Sequence, residues 1–514
     1  MSRTLVTIGV GPLSVEDVVA VARDEAAVEL GADAVVAIER SREAVEKLAA
    51  APTPSYGIST GFGALATRHI PTEMRAQLQR SLVRSHAAGS GPEVEREVVR
   101  ALMLLRLSTL ATGHTGIRLS TAQTMAALLS HGITPIVREY GSLGCSGDLA
   151  PLAHCALALM GEGEVRDREG VRRSAADALA EAGITPVELA AKEGLALING
   201  TDGMLGMLVL ALTDLRNLFK AADVAAAMSV EAQLATDRVF AADLQALRPH
   251  PGQAASAANL TRILADSGVV ASHRGPDCNR VQDAYSLRCS PQVHGAARDT
   301  AEHAATVAGR ELASAVDNPV VLDDGRVESN GNFHGAPVGY VLDFLAIAAA
   351  DLASISERRT DRFLDKARSH GLPPFLADDP GVDSGHMIAQ YTQAAIVSEL
   401  KRLANPASVD SIPSSAMQED HVSMGWSAAR KLRRSLDGLT RVIAIEILTA
   451  ARALDLRAPL DPSPATAAVL AVLREQVPGP GPDRHLAPEI EAAVELVRTG
   501  TVVAAVEDKI GTLQ

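Results

Sequence analysis

The apolar positions of this 514-residue chain recur mainly with the period of an α-helix. Residues 74–88 and 94–112 form two such stretches in the first third of the chain. From Thr201 to about Ala235, apolar side chains cover nearly the whole circumference of the predicted helix, which is typical of a helix buried among others. Further long helical patterns follow over residues 337–368, 386–404 and 419–455. With a rise of about 1.5 Å per residue these helices are about 30 to 55 Å long, which predicts an elongated bundle.

Strand patterns are sparse in the sequence. Only residues 5–8 indicate a strand, and a helix is expected to open at Ser14. We therefore predict an all-α fold, an elongated bundle of long helices with a smaller mixed, mainly helical N-terminal domain. Because the chain exceeds the size of a single core, we predict two domains, residues 1–200 and 201–514. Residues 478–482 break the helical pattern before a last helical stretch.

The composition indicates a core built from small aliphatic side chains. Aromatic residues make up 3% of the chain and hydrophobic residues 47%, so Ala, Leu and Val carry the core. The formal net charge is -14 and no basic block occurs, which argues against nucleic acid and anionic membrane surfaces as partners. The start of the chain lacks the apolar region of a signal peptide, and charges such as Asp343 and Asp351 interrupt the apolar helices. We expect a cytoplasmic protein with no membrane span.

The metal-binding side chains show no ligand spacing. Four cysteines, Cys145, Cys155, Cys278 and Cys289, form no CxxC pair, which favours reduced thiols. The fourteen histidines are scattered and lack HxxxH spacing. The sequence also carries no Gly-rich phosphate loop and no dinucleotide fingerprint. We therefore predict no metal site.

Residues 141–152, Gly-Ser-Leu-Gly-Cys-Ser-Gly-Asp-Leu-Ala-Pro-Leu, carry the most distinctive chemistry. Three glycines among the first seven residues allow turns that substituted residues resist. In a tight turn, the nitrogen of Gly147 can attack the carbonyl carbon of Cys145. Loss of water on ring closure and loss of the Ser146 hydroxyl then give a methylidene-imidazolone, an uncharged electrophile. Gly147 has no Cβ to obstruct the attack, and Ser146 becomes the methylidene carbon.

Asp148 has two interpretations at the sequence level. It can polarise or deprotonate a group during ring closure. Alternatively, the segment is an ordinary turn in which Asp148 caps the helix that follows, with Pro151 in its first turn.

Two further loops carry residues that suggest a function. Residues 56–63 place the phenol of Tyr56 among three glycines, and residues 267–291 run without clear period. Long structureless loops are often functional. Taken singly, each residue has an ordinary alternative, such as half-buried packing for a tyrosine or a surface cation for an arginine. The second loop carries three polar candidates, Gln282, Tyr285 and Arg288.

Eight strings in this order resemble the aromatic amino-acid ammonia-lyase and aminomutase family. They are residues 56–63, 85–89, 141–152, 198–201, 248–253, 282–288, 331–335 and 418–424. The resemblance covers nearly the entire chain and departs at Cys145, where the family's ring-forming tripeptide has alanine. Since ring closure uses only the carbonyl of that residue, the departure concerns only the packing around the ring.

The resemblance implies a cofactor made by the chain itself. Cys145, Ser146 and Gly147 would cyclise autocatalytically to 4-methylideneimidazol-5-one (MIO), with no external cofactor. It also implies a homotetramer whose active sites draw residues from three subunits. The electrophile would turn the substrate amine into a better leaving group, and a base must then remove the β-hydrogen.

The resemblance also assigns roles to single residues. Tyr56 is the expected base; because a phenol has a reference pKa near 10, it needs cationic or dipolar neighbours to act near neutrality. Tyr285 assists proton handling or orients the amine, and Asn199 hydrogen-bonds the ring carbonyl or the amine. Arg288 fits the substrate carboxylate, which its planar fork can bind in a bidentate manner. Two more substrate-binding positions fall in the matching strings, Gln282 and Phe333.

His86 and Glu419 bear on the choice of substrate within the family. Phenylalanine-selective relatives present an apolar pair at 85–86 and an Asn-Gln pair at 418–419. A carboxylate at Glu419 suits an imidazole N–H, whereas a phenyl ring would leave a buried charge unpaired. The resemblance thus implies elimination of ammonia from L-histidine to give urocanate, the first step of histidine degradation. The ordinary alternative for Glu419 is a carboxylate at a helix start, favoured by the helix dipole.

Two other functions stay open from the sequence. An aminomutase that returns ammonia to the β-carbon, a histidine 2,3-aminomutase, would use the same electrophile, and no residue discriminates it. A catalytically silent helical scaffold is the second, although the intact Ser146, Tyr56 and Arg288 argue against it.

Overall fold

The computed structural model describes residues 4–51, 57–61, 68–275, 278 and 281–514. These residues form twenty α-helices and nine short strands, so the predicted mainly helical fold is confirmed. They divide into two compact units, each discontinuous in sequence. The first unit contains Met1–Leu210, Ala305–Asp343 and Pro406–Arg430, and the second contains Ala211–Ala304, Phe344–Asn405 and Lys431–Gln514. The two continuous domains predicted from the sequence, residues 1–200 and 201–514, are a different division, and as folding domains they stay a prediction.

The first unit holds all nine strands found among the described residues. They are β1 (Leu5–Ile8), β2 (Ala27–Leu30), β3 (Ser90–Glu93), β4 (Thr134–Pro135), β5 (Arg138–Tyr140), β6 (Glu164–Arg166), β7 (Arg172–Ser174), β8 (Val320–Val321) and β9 (Val327–Glu328). They form small sheets in which β1 pairs in parallel with β2, and β3 with β5, β4 with β6, β6 with β7 and β8 with β9 in antiparallel fashion. Strands of two to four residues are too short to show alternation, which is why the sequence indicated only the first of them.

The helices of the first unit carry the site described below. They are α1 (Val15–Ala22), α2 (Ala32–Ala50), α3 (Arg75–His86), α4 (Arg96–Ala111), α5 (Leu119–His131), α6 (Leu149–Leu159), α7 (Ala175–Glu181) and α8 (Glu193–Ile198). Short 3₁₀ turns at Thr72–Met74 and Ser415–Met417 accompany them. The expected opening at Ser14 is confirmed, since its side chain accepts the N–H of Asp17 while the Asp17 carboxylate accepts the N–H of Ser14.

The second unit contains mainly short and medium helices. They are α10 (Ala242–Ala246), α11 (Pro251–Ile263), α12 (Gly268–Ala271), α13 (Tyr285–Arg288), α16 (Met387–Leu403), α18 (Pro464–Arg474), α19 (Ala487–Arg498) and α20 (Thr501–Ile510), with 3₁₀ turns at Arg238–Phe240 and Pro374–Leu376. The predicted last helical stretch is therefore two helices, because Gly500 adopts a φ of 77° between them.

Four long helices contribute residues to both units. They are α9 (Asp202–Ala232), α14 (Ser290–Leu312), α15 (Ala336–Leu364) and α17 (Gly425–Asp455). The helix predicted over residues 419–455 thus begins six residues later, after Met424 with a φ of 52°. Within the described residues, α15 is the one helix long and apolar enough to cross a membrane, and 61% of its most apolar window is buried. A core helix passes the same test of length and composition, so this is weak evidence for a membrane span.

Candidate active site

The loop between β5 and α6 is shaped by three glycines with positive φ. Gly141, Gly144 and Gly147 adopt φ values of 145°, 66° and 74°. At Gly147 an added Cβ would lie 2.0 Å from the carbonyl oxygen and 2.3 Å from the carbonyl carbon of Gly200, so only glycine fits between these backbones. The N–H of Asp148 donates to the same Gly200 oxygen at 2.7 Å. Two backbone segments are thereby fixed against each other at the predicted ring-forming tripeptide.

A second segment, residues 422–426, holds the start of this loop. The Ser423 hydroxyl donates to the Gly144 carbonyl at 3.0 Å, and the Met424 N–H donates to the Leu143 carbonyl at 2.9 Å. A Cβ at Gly144 would lie 2.2 Å from the Ser423 oxygen. The indole N–H of Trp426 donates to the Glu139 carbonyl at 2.7 Å. Hydrogen bonds to the main chain therefore hold the loop on both sides of Cys145.

Asp148 is fully buried and acts as an acceptor for three donors. One carboxylate oxygen accepts the Ser142 hydroxyl at 3.0 Å, and the other accepts the N–H groups of Gly203 and Met204, both at 2.9 Å. The carboxylate therefore caps the first turn of α9. Asp148 occupies the N-cap position of α6, as the alternative prediction has it, but its side chain makes no capping hydrogen bond to that helix.

Burial makes Asp148 a group that can hold a proton near neutrality. Desolvation raises its pKa to about 7, and the nearby Asp202 charge acts in the same direction. The hydrogen bonds from Met204, Ser142 and Gly203 lower the pKa but do not cancel the effect of burial. The carboxyl can thus exchange a proton close to physiological pH.

Asn199 and Gly200 lie on the opposite side of the tripeptide and are fixed by Arg106 of α4. The Arg106 guanidinium is fully buried and donates to the carbonyls of Asn199 at 2.7 Å and Val316 at 2.8 Å. It also lies 3.3 Å from the Asp202 carboxylate. The Asn199 amide N–H donates to the Asn318 carbonyl at 2.9 Å, while the buried Oδ1 has no hydrogen-bond partner among the described residues. The side chain therefore offers one unused acceptor.

Glu419 interacts with both His86 and Cys145. The Glu419 charge acts on both other groups, and its carboxylate is a hydrogen-bond partner of the Cys145 thiol. Burial raises the pKa of that thiol to about 12, and Glu419 adds to the rise. Burial lowers the pKa of His86, against the opposing effects of the Leu82 carbonyl and Glu419. His86 is thus neutral near pH 7.

The tautomer of His86 follows from its hydrogen bond. Its Nδ1 lies 2.9 Å from the Leu82 carbonyl oxygen, which can only accept, and 3.1 Å from the Ser85 hydroxyl, which also donates to that carbonyl. The tautomer with the proton on Nδ1 satisfies the carbonyl and leaves Nε2 as an acceptor. Glu419 is oriented by the Ser414 hydroxyl, which donates to it at 2.9 Å. It lies six residues before α17, so the alternative of a helix-start carboxylate is wrong. The Glu419 carboxylate is close enough to His86 to act on its charge.

Gln282, Tyr285 and Arg288 form a separate cluster in the second unit. The Arg288 guanidinium lies 4.6 Å from the Tyr285 ring centroid and donates to the Gln282 side-chain oxygen at 3.0 Å. Tyr285 is 72% exposed, so the alternative of half-buried packing is wrong for this tyrosine. The buried Nε of Arg288 has no hydrogen-bond partner among the described residues. A cation with a spare donor fits a carboxylate ligand.

The remaining predicted positions add less. Phe333 is half-buried in the turn before α15. Tyr56 lies outside the described residues. Within the ranges that the structure describes, no group of three or more His, Cys, Asp or Glu side chains is placed to hold a metal ion.

Three residues that hold the loop between β5 and α6 in place were not predicted from the sequence. Ser142, Arg106 and Ser423 all contact it or its supports, yet only Arg106 carries a signal in the sequence. Like Arg100, it is a charged residue in a mostly apolar helical stretch, from Val98 to Ala111, in which every residue is buried. Such a charge must have partners, because burial of an unpaired cation is costly.

The sequence profile of the aromatic amino acid lyase family matches residues 13–475 of this chain. The chain belongs to this family. Membership confirms the resemblance that the motifs indicated and identifies the chain as a carbon–nitrogen lyase. Two similar relatives are the histidine ammonia-lyases of Streptomyces griseus, 68% identical over 99% of both chains, and of Sorangium cellulosum, 50% identical over 98% of this chain and 99% of the relative.

Solved structures of other family members share the fold. Tyrosine aminomutase from Streptomyces globisporus is 38% identical with a TM-score of 0.94, covering 99% of this chain and 100% of that one. Histidine ammonia-lyase from Trypanosoma cruzi is also 38% identical, with a TM-score of 0.90 and coverage of 98% and 95%. Because a mutase and a lyase match about equally well, the fold of the family does not by itself select between the two outcomes.

Proposed function

We propose that this protein eliminates ammonia from L-histidine to give trans-urocanate, the first step of histidine degradation. The observation that carries the proposal is the Glu419 carboxylate, held by the Ser414 hydroxyl at 2.9 Å, beside Cys145 and close enough to His86 to act on its charge. The Glu419 carboxylate is an acceptor that suits the N–H of an imidazole ring. A phenyl ring offers no donor, so Glu419 would keep only its contacts within the chain, such as the Ser414 hydroxyl at 2.9 Å. The identity of 68% with a histidine ammonia-lyase supports the same substrate.

We propose that Cys145, Ser146 and Gly147 cyclise to MIO without an external cofactor. The residues fit this group, since Gly147 has a φ of 74° and the Gly200 carbonyl occupies the place of a Cβ. Asp148, with a pKa of about 7, can take up or release a proton during ring closure. When formed, the group supplies an electrophilic carbon that makes the substrate amine a better leaving group.

The other residues bind and orient the substrate in this proposal. The unused Oδ1 of Asn199 accepts a hydrogen of the substrate amine, since the amide N–H is already directed to Asn318. Arg288 binds the carboxylate through its fork, oriented by Gln282 and by the ring of Tyr285. Phe333 contributes an apolar contact, and Tyr56 removes the β-hydrogen.

We further propose a cytoplasmic homotetramer in which each active site draws residues from three subunits. Such sharing would let Gln282, Tyr285 and Arg288 of one subunit contribute to the active site of another. The proposal includes no nucleic acid and no membrane as partner, in keeping with the net charge of -14.

The test is a matched pair of rates, urocanate formation from L-histidine and cinnamate formation from L-phenylalanine. A site that hydrogen-bonds a substrate group rejects the analogue lacking it by roughly 10⁴-fold or more, so the wild type should scarcely act on phenylalanine. Glu419→Gln should lower the histidine rate strongly, and His86→Leu should also relax the rejection of phenylalanine. Faster cinnamate formation by the wild type would refute the substrate assignment.

Two control measurements separate the competing functions. The mature chain should be lighter than the encoded chain by two waters, and Ser146→Ala should fold yet remain unprocessed and nearly inactive. An active enzyme that yields β-histidine instead of urocanate is an aminomutase. A chain of unmodified mass without activity is a scaffold.

A further inference from the structure

Two buried arginines on α4 donate hydrogen bonds to different parts of the main chain. Arg100 and Arg106 are both fully buried, and each donates to two main-chain carbonyls. The partners of Arg100 include the carbonyls of Val21 at 2.9 Å and Leu129 at 3.2 Å, in the N-terminal part of the first unit. The partners of Arg106 include Asn199, the residue immediately before Gly200. Arg106 is therefore coupled to the backbone that contacts the ring-forming tripeptide, whereas the two carbonyls bound by Arg100 belong to other segments.

The position of Gly200 decides how closely the tripeptide is confined. Its carbonyl oxygen accepts the Asp148 N–H at 2.7 Å and lies where a Cβ of Gly147 would be. A Cβ on Gly200 itself would lie 2.3 Å from both Arg106 Nη1 and the Asp202 carboxylate. Gly200 is thus enclosed between the Arg106–Asp202 ion pair and the turn at Gly147. Other contacts of this backbone include the Asp148 N–H on the Gly200 carbonyl and the Asn199 amide on the Asn318 carbonyl, so loss of the ion pair would remove one of its supports.

We propose that Arg106 is a positioning residue for maturation: by fixing the Asn199–Gly200 backbone it holds Gly147 in the turn from which the ring closes. The inference rests on the proposed self-formed cofactor and extends it to a residue that contacts neither the substrate nor the tripeptide. The guanidinium fork reaches Asn199 and Val316 at once while facing Asp202, which a single ammonium group cannot do.

The test follows maturation rather than turnover in Arg106→Lys, with Arg100→Lys as the matched control. Intact mass of the soluble chain, sampled at fixed times after induction, gives the fraction that has lost two waters, and circular dichroism reports the helix content. Displacement of reacting groups by about 1 Å slows a reaction by about 10²-fold. We expect Arg106→Lys to be helical and largely unprocessed, while Arg100→Lys matures like the wild type.

Asp202→Asn provides a second variant that does not remove the arginine. It loses the charge that faces Arg106 at 3.3 Å, and we expect maturation to slow by on the order of tenfold, the factor given by one charge-assisted contact. If Arg106→Lys yields no soluble protein, this variant decides the question, and maturation at the wild-type rate overturns the proposal.

The other outcomes are equally decisive. Full processing of Arg106→Lys overturns the proposal, and so does equal impairment of both lysine variants, since that would be a general effect of losing a buried arginine. A wild-type chain that keeps its encoded mass would refute the proposed cofactor. This outcome is distinguishable from failure of the proposed role of Arg106, because it is measured on the wild type alone.

Discussion

Replacement of Asp148 by alanine tests how much its hydrogen bonds to the loop and to α9 stabilise the fold. The substitution removes the acceptor of three buried donors, the Ser142 hydroxyl and the N–H groups of Gly203 and Met204. A buried donor left without an acceptor costs about 1–3 kcal/mol, which gives about 3–9 kcal/mol for three. Water entering the new cavity and relaxation of the loop recover part of this, so we expect a loss of about 3–5 kcal/mol in the free energy of unfolding.

Asp148→Asn is the matched variant because it keeps the shape and one acceptor oxygen. That oxygen can serve both N–H groups of α9, while the Ser142 hydroxyl can rotate to accept from the new amide. At pH 7 we therefore expect the free energy of unfolding of Asp148→Asn to be close to that of the wild type, and that of Asp148→Ala to be far below both. Chemical denaturation at fixed protein concentration measures this, since the apparent stability of an oligomer depends on concentration. An alanine variant within about 1 kcal/mol of the wild type would contradict the assigned hydrogen bonds.

The pH dependence gives a second readout from the same pair. The folded-state pKa of Asp148 is raised to about 7, above the value near 4 of an unfolded aspartate. The folded state therefore binds more protons in this range, so the contribution of Asp148 to stability is fully present below about pH 4 and is lost as the pH rises through 7. The Asn variant lacks this titration, and its stability relative to wild type should rise from pH 4 to 7. A difference that stays constant over this range would show that the carboxyl is ionised throughout.

Two further outcomes follow from the site. Cys145→Ala should mature and keep most of the histidine rate, because only the carbonyl of residue 145 enters the ring; loss of the two-water mass change in this variant would show that the thiol, despite a pKa raised to about 12, takes part. Arg288→Met should weaken substrate binding by about 2–5 kcal/mol, the usual cost of leaving a buried charge without its partner, with KM rising more than kcat falls; an unchanged KM would assign the carboxylate to another cation.

Residues whose chemistry depends on local sequence could be predicted without the structure. Ring closure involves neighbours in sequence, so Cys145, Ser146 and Gly147 could be recognised together, and the structure supplies the positive φ of Gly147 that the chemistry needs. The long helices were likewise visible, because periodic burial shows over twenty or thirty residues. Their ends were less exact, as at α17, where residues before Gly425 contact the loop instead of continuing the helix.

The tertiary structure decided which partners the side chains use. Asp148 has the sequence position of a cap for α6, yet it caps α9, because the chain brings Gly203 and Met204 to a carboxylate more than fifty residues away. Arg106 acts through Asn199, which no spacing in the sequence reveals. The unit boundaries were also hidden, since four of the five lie inside helices, where neither composition nor a loop marks them. Hydrogen bonds within a turn depend on neighbouring residues and can be predicted from local sequence, whereas a buried charge is satisfied by whichever backbone the whole fold places beside it.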